Sequence, residues 1–301
     1  MRERIPCEVM EYPLMFMLRS STTLVSAGAV AIGLGLGAAS AHAVSIGVNY
    51  TGAGSYGQTQ AEATGGYSLA PTATAGYATV AQDNWNNTTT SYTDGNGYGN
   101  VGVLSTVVDS TGATVSGMSV ATAPDTSGIG KEYPTSGTAN WGFSGNNLTM
   151  LEGNIRPSPQ VTVSGIPYSQ YDVYVYLSAP GGNGGYGAVT ISANSGLGAV
   201  GPTNEYYYNY AWPNGAFIQA TATSVGAVNT SSSPASNYVL FTGNTASGIT
   251  LALDNNGWNT GLAAFQVVDT ATPEPASLGL LVLGGLGVLL LKRRGTTSGG
   301  Y

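Results

Sequence analysis

YDVYVYLSA, residues 171–179, alternates its side chains with a period of two. Tyr171, Val173, Val175 and Leu177 fall on one face, and Asp172, Tyr174, Tyr176 and Ser178 on the other. That repeat belongs to a β-strand, and the aliphatic face is predicted to point into a core. Immediately upstream, VTVSGIPYSQ (161–170) supplies another strand and a turn, so 161–177 is expected to form a hairpin punctuated by Gly165 and Pro167. Similar short alternating runs recur in both directions: VSIGVNY (44–50), VGVLSTVVDS (101–110), ATVSGMSVA (113–121), YGAVTISA (186–193), NYVLFTG (237–243), GITLALD (248–254) and LAAFQVVD (262–269). The last three, close together in the chain, are expected to be antiparallel neighbours. No segment carries a sustained helical period. Strands broken by Gly, Asn and Ser at this spacing predict an all-β fold over residues 44–271, a single antiparallel sandwich or barrel. The connections 51–100 and 122–147 are long, and long loops on a rigid sandwich are where binding usually sits.

Charge and thiol content narrow the chemistry. The chain has 301 residues, of which 8% are charged, with 45 Gly and 19 Tyr. Between residues 44 and 272 the only cations are Lys131 and Arg156, against eleven carboxylates. Such an acidic body repels phosphate backbones, so no nucleic-acid partner is expected. The one cysteine, Cys7, and the one histidine, His42, both precede residue 44. The body therefore has no disulfide, no thiolate nucleophile, no Cys or His zinc site and no Ser-His-Asp relay.

Within the body, EYYYNYAWPNG (205–215) is the densest aromatic run. If extended, it places Tyr206, Tyr208, Tyr210 and Trp212 on one face, as edge or core packing or as a stripe of rings able to stack on sugars. DNWNN (83–87) and DNNGWN (254–259) set Trp85 and Trp258 among Asp and Asn, a composition that makes turns and can also contact a glycan. Asp94, Asn96 and Asn100, or Asp254 and Asn256, offer oxygens that would suit a structural calcium ion, without the bidentate Glu and ordered ligand series of an EF-hand. No other metal or cofactor is expected. Catalysis is not expected either. A glycan hydrolase would need two carboxyl groups about 5–10 Å apart, drawn from Glu62, Glu132, Glu152 and Glu205, and no motif pairs them.

The two ends of the chain read as addresses. From Met17 the sequence MLRSSTTLVSAGAVAIGLGLGAASAHA gives one Arg, an apolar stretch Leu24–Ala39, and small residues at Ala41-His42-Ala43. This is the layout of a secretory signal peptide over 1–43 cleaved after Ala43, with translation expected to start at Met15 or Met17, so that 1–14 or 1–16 would be absent from the product. At the other end, Pro273-Glu274-Pro275 precedes a 16-residue apolar run, 276–291, and the basic cluster Lys292, Arg293 and Arg294. As a helix that run spans about 24 Å against a hydrocarbon core of about 30 Å. The basic end is expected to stay cytoplasmic with the short tail 296–301, leaving the body outside.

Residues 272–295, with triplet, apolar run and basic cluster in that order, resemble the PEP-CTERM sorting signal, also known as an ice-binding-protein C-terminal domain. The resemblance implies recognition by exosortase, a membrane transpeptidase of Gram-negative bacteria that make extracellular polysaccharide, with the helix as a temporary membrane tether. The body is similar to jelly-roll ectodomains of the galactose-binding-like and carbohydrate-binding kind. The matching stretches are VNYTGAG (48–54), AGYATVAQDNWNN (75–87), LSTVVDSTGATV (104–115), VTVSGIPYSQYDVYVYL (161–177), NYVLFTG (237–243) and GLAAFQVVD (261–269). That second resemblance implies a fold and a cell-surface location rather than chemistry. The expected function is that of an exported, surface-sorted structural or adhesive protein of the envelope or polysaccharide matrix. A carbohydrate-binding module is the alternative, and a glycan-active hydrolase the second.

Overall fold

The computed structural model describes residues 43–271 except 52–66, 89, 93–98, 102, 124–130, 135–141, 157, 179–184, 195–197, 201–203, 210–214, 225–226, 228–234 and 256–259; for 90–92, 99–101, 131–134, 156, 206, 208–209 and 255 it describes the backbone only. The signal segment 1–43, apart from Ala43, and the sorting segment 272–295 with its helix 276–291 lie outside the described residues.

Among the described residues, fourteen strands and one helix follow in order: β1 (Ser45–Asn49), β2 (Asn86–Asn87), β3 (Thr90–Tyr92), β4 (Gly99–Val101), β5 (Ser119–Ala123), β6 (Lys131–Pro134), α1 (Gly145–Glu152), β7 (Gly153–Arg156), β8 (Gln160–Ser164), β9 (Tyr171–Ser178), β10 (Gly185–Ala193), β11 (Asn204–Asn209), β12 (Tyr238–Asn244), β13 (Gly248–Asn255) and β14 (Gly261–Asp269). They form two sheets. The larger runs β12-β9-β14-β7-β6-β4-β3, with β1 also paired to β14 and β2 to β1, and the smaller runs β11-β10-β13-β8-β5. Every strand pair is antiparallel except β1 with β2. The fold is an all-β sandwich.

The core between the sheets takes Val173, Val175 and Leu177 from β9, Phe265 and Val267 from β14, and Phe241 from β12, against Val161 and Val163 from β8, Val189 and Ile191 from β10, and Leu251 and Leu253 from β13. The aliphatic face of YDVYVYLSA is therefore the core face, as its alternation predicts. Its other face is buried too. Tyr174 and Tyr176 belong to a second cluster with Leu69, Trp85, Phe143, Met150 and Leu151, formed by the loop 67–85 and α1 on the outer face of the larger sheet. An amphipathic ring pattern reads as half-exposed in sequence, whereas here the chain folds a second cover over it.

In β14 the alternation is broken and repaired. Leu262 and Phe265 face the core while Ala263 and Ala264 both face outward, and the register with β9 shifts between Leu262 and Ala264. One inserted residue of a β-bulge accounts for this, keeping both large side chains inside.

Two expectations about pairing do not hold. Residues 161–177 are not a hairpin: β8 lies in the smaller sheet and β9 in the larger, so 165–170 crosses between them. Likewise β12, β13 and β14 are not neighbours. β12 and β14 flank β9 in the larger sheet, while β13 lies between β10 and β8 in the smaller. Connectors of three to six residues, at up to about 3.5 Å each, can cross the roughly 10 Å between packed sheets. Short spacing along the chain therefore does not distinguish a hairpin from a crossing. VGVLSTVVDS forms only isolated bridges at Leu104 and Val108 beyond the end of β4, and α1 is a helix that the sequence pattern did not announce.

Strands β1 and β14 pair antiparallel, Ser45 opposite Val268, and the Asp269 N–H donates to the Val44 carbonyl at 2.9 Å. The chain thus enters and leaves the sandwich side by side.

Candidate functional site

The site grows from DNWNN. Asn84 takes a left-handed backbone (φ 54), a conformation that Asn tolerates, and its side-chain amide donates to the Ser110 carbonyl at 3.0 Å. Trp85 is 4% exposed; its indole N–H donates to the Gln82 carbonyl, and its ring meets Tyr176 edge-on. Asn86 bonds the Gly47 carbonyl and both the N–H and carbonyl of Val108. Asn87 bonds the N–H and carbonyl of Leu69 and accepts from Asn49. The pentapeptide thereby fastens the loop 67–85 and the turn near residue 110 to β1. Trp85 presents its ring to the core and not to a surface.

The same loop is pinned from above the sheet. Gln266, fully buried on β14, donates to the Val80 carbonyl at 2.8 Å and to Gln82 Oε1 at 2.9 Å. The Tyr176 hydroxyl donates to Gln266 Oε1 and accepts from the Tyr77 N–H. Gly47 makes the space: a Cβ there would stand 2.7 Å from both Gln82 and Trp85. Removing the hydroxyl with Tyr176→Phe leaves Gln266 Oε1 and the Tyr77 N–H buried without a partner. This is expected to lower stability by about 1–3 kcal/mol, measured by urea unfolding.

Pinned this way, the loop walls a cleft of about 380 Å3. Its other sides are the entry to β1 at Ala43–Ser45, the turn Ser110–Thr111, and Val268. The turn is itself held: Asp109 Oδ1 accepts from the Thr111 and Ala113 N–H groups, and Ser110 exchanges bonds with Ser45. Thr74, Thr79, Gln82 and Asp83 complete the polar lining. Asp83 is the only ionisable side chain among the described lining residues; its Oδ1 accepts from the Thr74 hydroxyl at 2.5 Å, while no bond to Oδ2 is formed among the described residues. Such a lining can hold a hydroxylated ligand by donors and acceptors.

Beside it, the rings of Tyr77, Tyr174 and Tyr238 stack at centroid separations of 5.2–6.3 Å and interplanar angles of 24–28°. Burial, with the neighbouring phenols of Tyr77 and Tyr174 adding, pushes the Tyr238 hydroxyl up to about 12. Tyr174 is raised by burial and then by the Asp172 charge.

The remaining sequence candidates are dispersed. EYYYN (205–209) is extended and lies in β11, the edge of the smaller sheet, with Tyr207 fully buried in the core. The side chains of Tyr206 and Tyr208, and residues Tyr210, Trp212 and Trp258, lie outside the described set, as do Asp94, Asn96, Asn256 and the Asn100 side chain. Glu62 and the Glu132 side chain also lie outside it. Glu152 ends α1 on the larger sheet and Glu205 lies on β11 of the smaller; burial raises both carboxyls. Among the described residues no three His, Cys, Asp or Glu side chains converge on a metal position, and no helix is long and apolar enough to cross a membrane. Pro273, Glu274, Pro275, Lys292, Arg293, Arg294 and Ala41 fall outside the described residues, and Ala43 lines the cleft. Sequence reasoning singled out Trp85 but not Thr74, Thr79 or Ser110, which carry no motif and meet only through the fold.

Comparison with known proteins finds no matching family model, and no curated protein or solved structure matches the chain.

Proposed function

We propose that this chain is an exported, surface-sorted structural or adhesive protein of the envelope or extracellular polysaccharide matrix of a Gram-negative bacterium, with residues 44–271 arranged as a jelly roll. The supporting observation is the position of the two exits. Val44, at the expected signal cleavage point, and Asp269, just before the Pro273-Glu274-Pro275 triplet, are hydrogen-bonded neighbours at one end of the sandwich. A body held there by a tail displays its remaining surface outward. The alternation of β12, β13 and β14 between sheets supports the jelly-roll reading, because such folds route successive strands across the sandwich. A carbohydrate-binding role is the second reading, favoured by a cleft that sets hydroxyl, amide and carboxylate groups beside apolar side chains.

Sorting is tested with Glu274→Ala. Cell fractionation is expected to find the wild-type protein processed and at the surface, and the variant retained unprocessed in the inner membrane. If the variant is processed and displayed like the wild type, exosortase recognition of the triplet is ruled out.

A further inference from the structure

We propose that the cleft between the loop 74–83 and the turn at Ser110–Thr111 binds a hexose unit of a polysaccharide, with Asp83 as its charged hydrogen-bond acceptor. This deepens the carbohydrate-binding reading and rests on it. At about 380 Å3 the cleft falls at the small end of the range for ligand pockets, suited to a sugar unit or two rather than to a folded partner.

The groups left open define the ligand. Asp83 Oδ2 accepts nothing among the described residues, Thr79 makes no hydrogen bond there, and the Ser110 hydroxyl, which accepts from the Ser45 N–H, still has its proton to donate. An acceptor, a donor and a hydroxyl able to do either match the vicinal hydroxyls of a hexose. Val44, Val80, Ala81 and Val268 supply apolar lining for the C–H faces of the ring.

Asp83 anchors the ligand. It is the one ionisable side chain among the described lining residues, and a sugar hydroxyl donating to its open oxygen would satisfy it. The carboxylate is also preorganised. Thr74 holds Oδ1, the Gln82 side-chain amide donates to the Asp83 carbonyl at 3.2 Å, and Gln82 itself is locked by Gln266. Little ordering remains to be done on binding.

The test uses the full chain and isothermal titration with three sets of oligosaccharides: neutral oligomers of glucose, galactose and mannose, glucosamine oligomers, and galacturonic acid oligomers. Binding is expected from at least one of the three sets. Asp83→Asn is expected to weaken it about tenfold or more. Thr79→Trp, at an exposed position that makes no bond, fills the cleft and is expected to abolish binding while thermal unfolding stays unchanged. Wild-type affinity in both variants would place the glycan elsewhere, overturning the cleft assignment while leaving the carbohydrate-binding reading intact. No binding of any set by the wild type would overturn both, with sorting still judged separately by Glu274→Ala.

Discussion

Above about pH 10 the sandwich is expected to unfold cooperatively, with a midpoint at or below about pH 13. The cause is the set of buried phenols. Tyr176 and Tyr207 are fully buried, and burial holds both far above the ordinary tyrosine value, the Asp254 charge adding to the rise at Tyr207. Burial likewise raises Tyr168 and Tyr171, and Tyr238 up to about 12. In the unfolded chain these groups ionise near 10. From that point upward the unfolded state binds fewer protons than the native one, so stability falls as pH rises and continues to fall through the folded values; below pH 10 it is fully present. Tyr176 and Tyr207 together set a slope of about 3 kcal/mol per pH unit against a typical total of about 5–15 kcal/mol. Absorbance near 295 nm is expected to rise in two phases: exposed phenols near pH 10, then a steep phase coincident with loss of the far-ultraviolet β signal. A single phase near pH 10 with the β signal intact would show that water reaches these hydroxyls in the folded state.

Gly153→Ala is expected to cost about 3 kcal/mol or more in denaturant unfolding. Gly153 links α1 directly to β7 in an ordinary extended conformation (φ −89, ψ 146), so backbone freedom is not the reason for glycine there. The reason is contact. A Cβ would stand 1.7 Å from the Tyr50 carbonyl oxygen and 2.8 Å from the Thr51 carbonyl carbon, and no rotamer relieves a clash with backbone. Tyr50 is itself fully buried and hydrogen-bonded to Ala263 beside the bulge, so it cannot yield without opening β1 from β14. Gly243 provides the contrast: its φ of 71 is left-handed, yet nothing lies within 4 Å of its Cβ position, so Gly243→Ala is expected to cost only about 1 kcal/mol. Equal losses in the two variants would mean that the Tyr50 contact relaxes freely.

Strands β1, β9, β10, β12, β13 and β14 were legible because each carries a period of two between turn residues. The helix α1 was not. It has eight residues, no side-chain cap bond, and only Met150 and Leu151 buried, so its apolar positions are too few to set a period. VVDS looked like strand because Val recurs, but it is held by Asn86 and by Thr114 as a loop. At the site, DNWNN was visible as a turn-forming cluster. What it fastens was invisible, because Asn and Asp side chains announce that they will bond backbone but not whose.

Local pattern was enough to establish the all-β class, the aliphatic face of β9, and a body free of thiol and imidazole; it also motivated the export and sorting readings. Each depends on residue types along a short stretch. The tertiary structure alone decided which sheet each strand joins, that β1 and β14 lie side by side, and that a cleft of mixed polar and apolar lining opens beside them. The physical reason lies in the contacts themselves: Gln266 reaches Gln82 across 184 residues, and Asn84 reaches Ser110 across 26. A hydrogen bond between residues so far apart leaves no local periodicity behind, and a connector short enough for a hairpin is also long enough to cross between sheets.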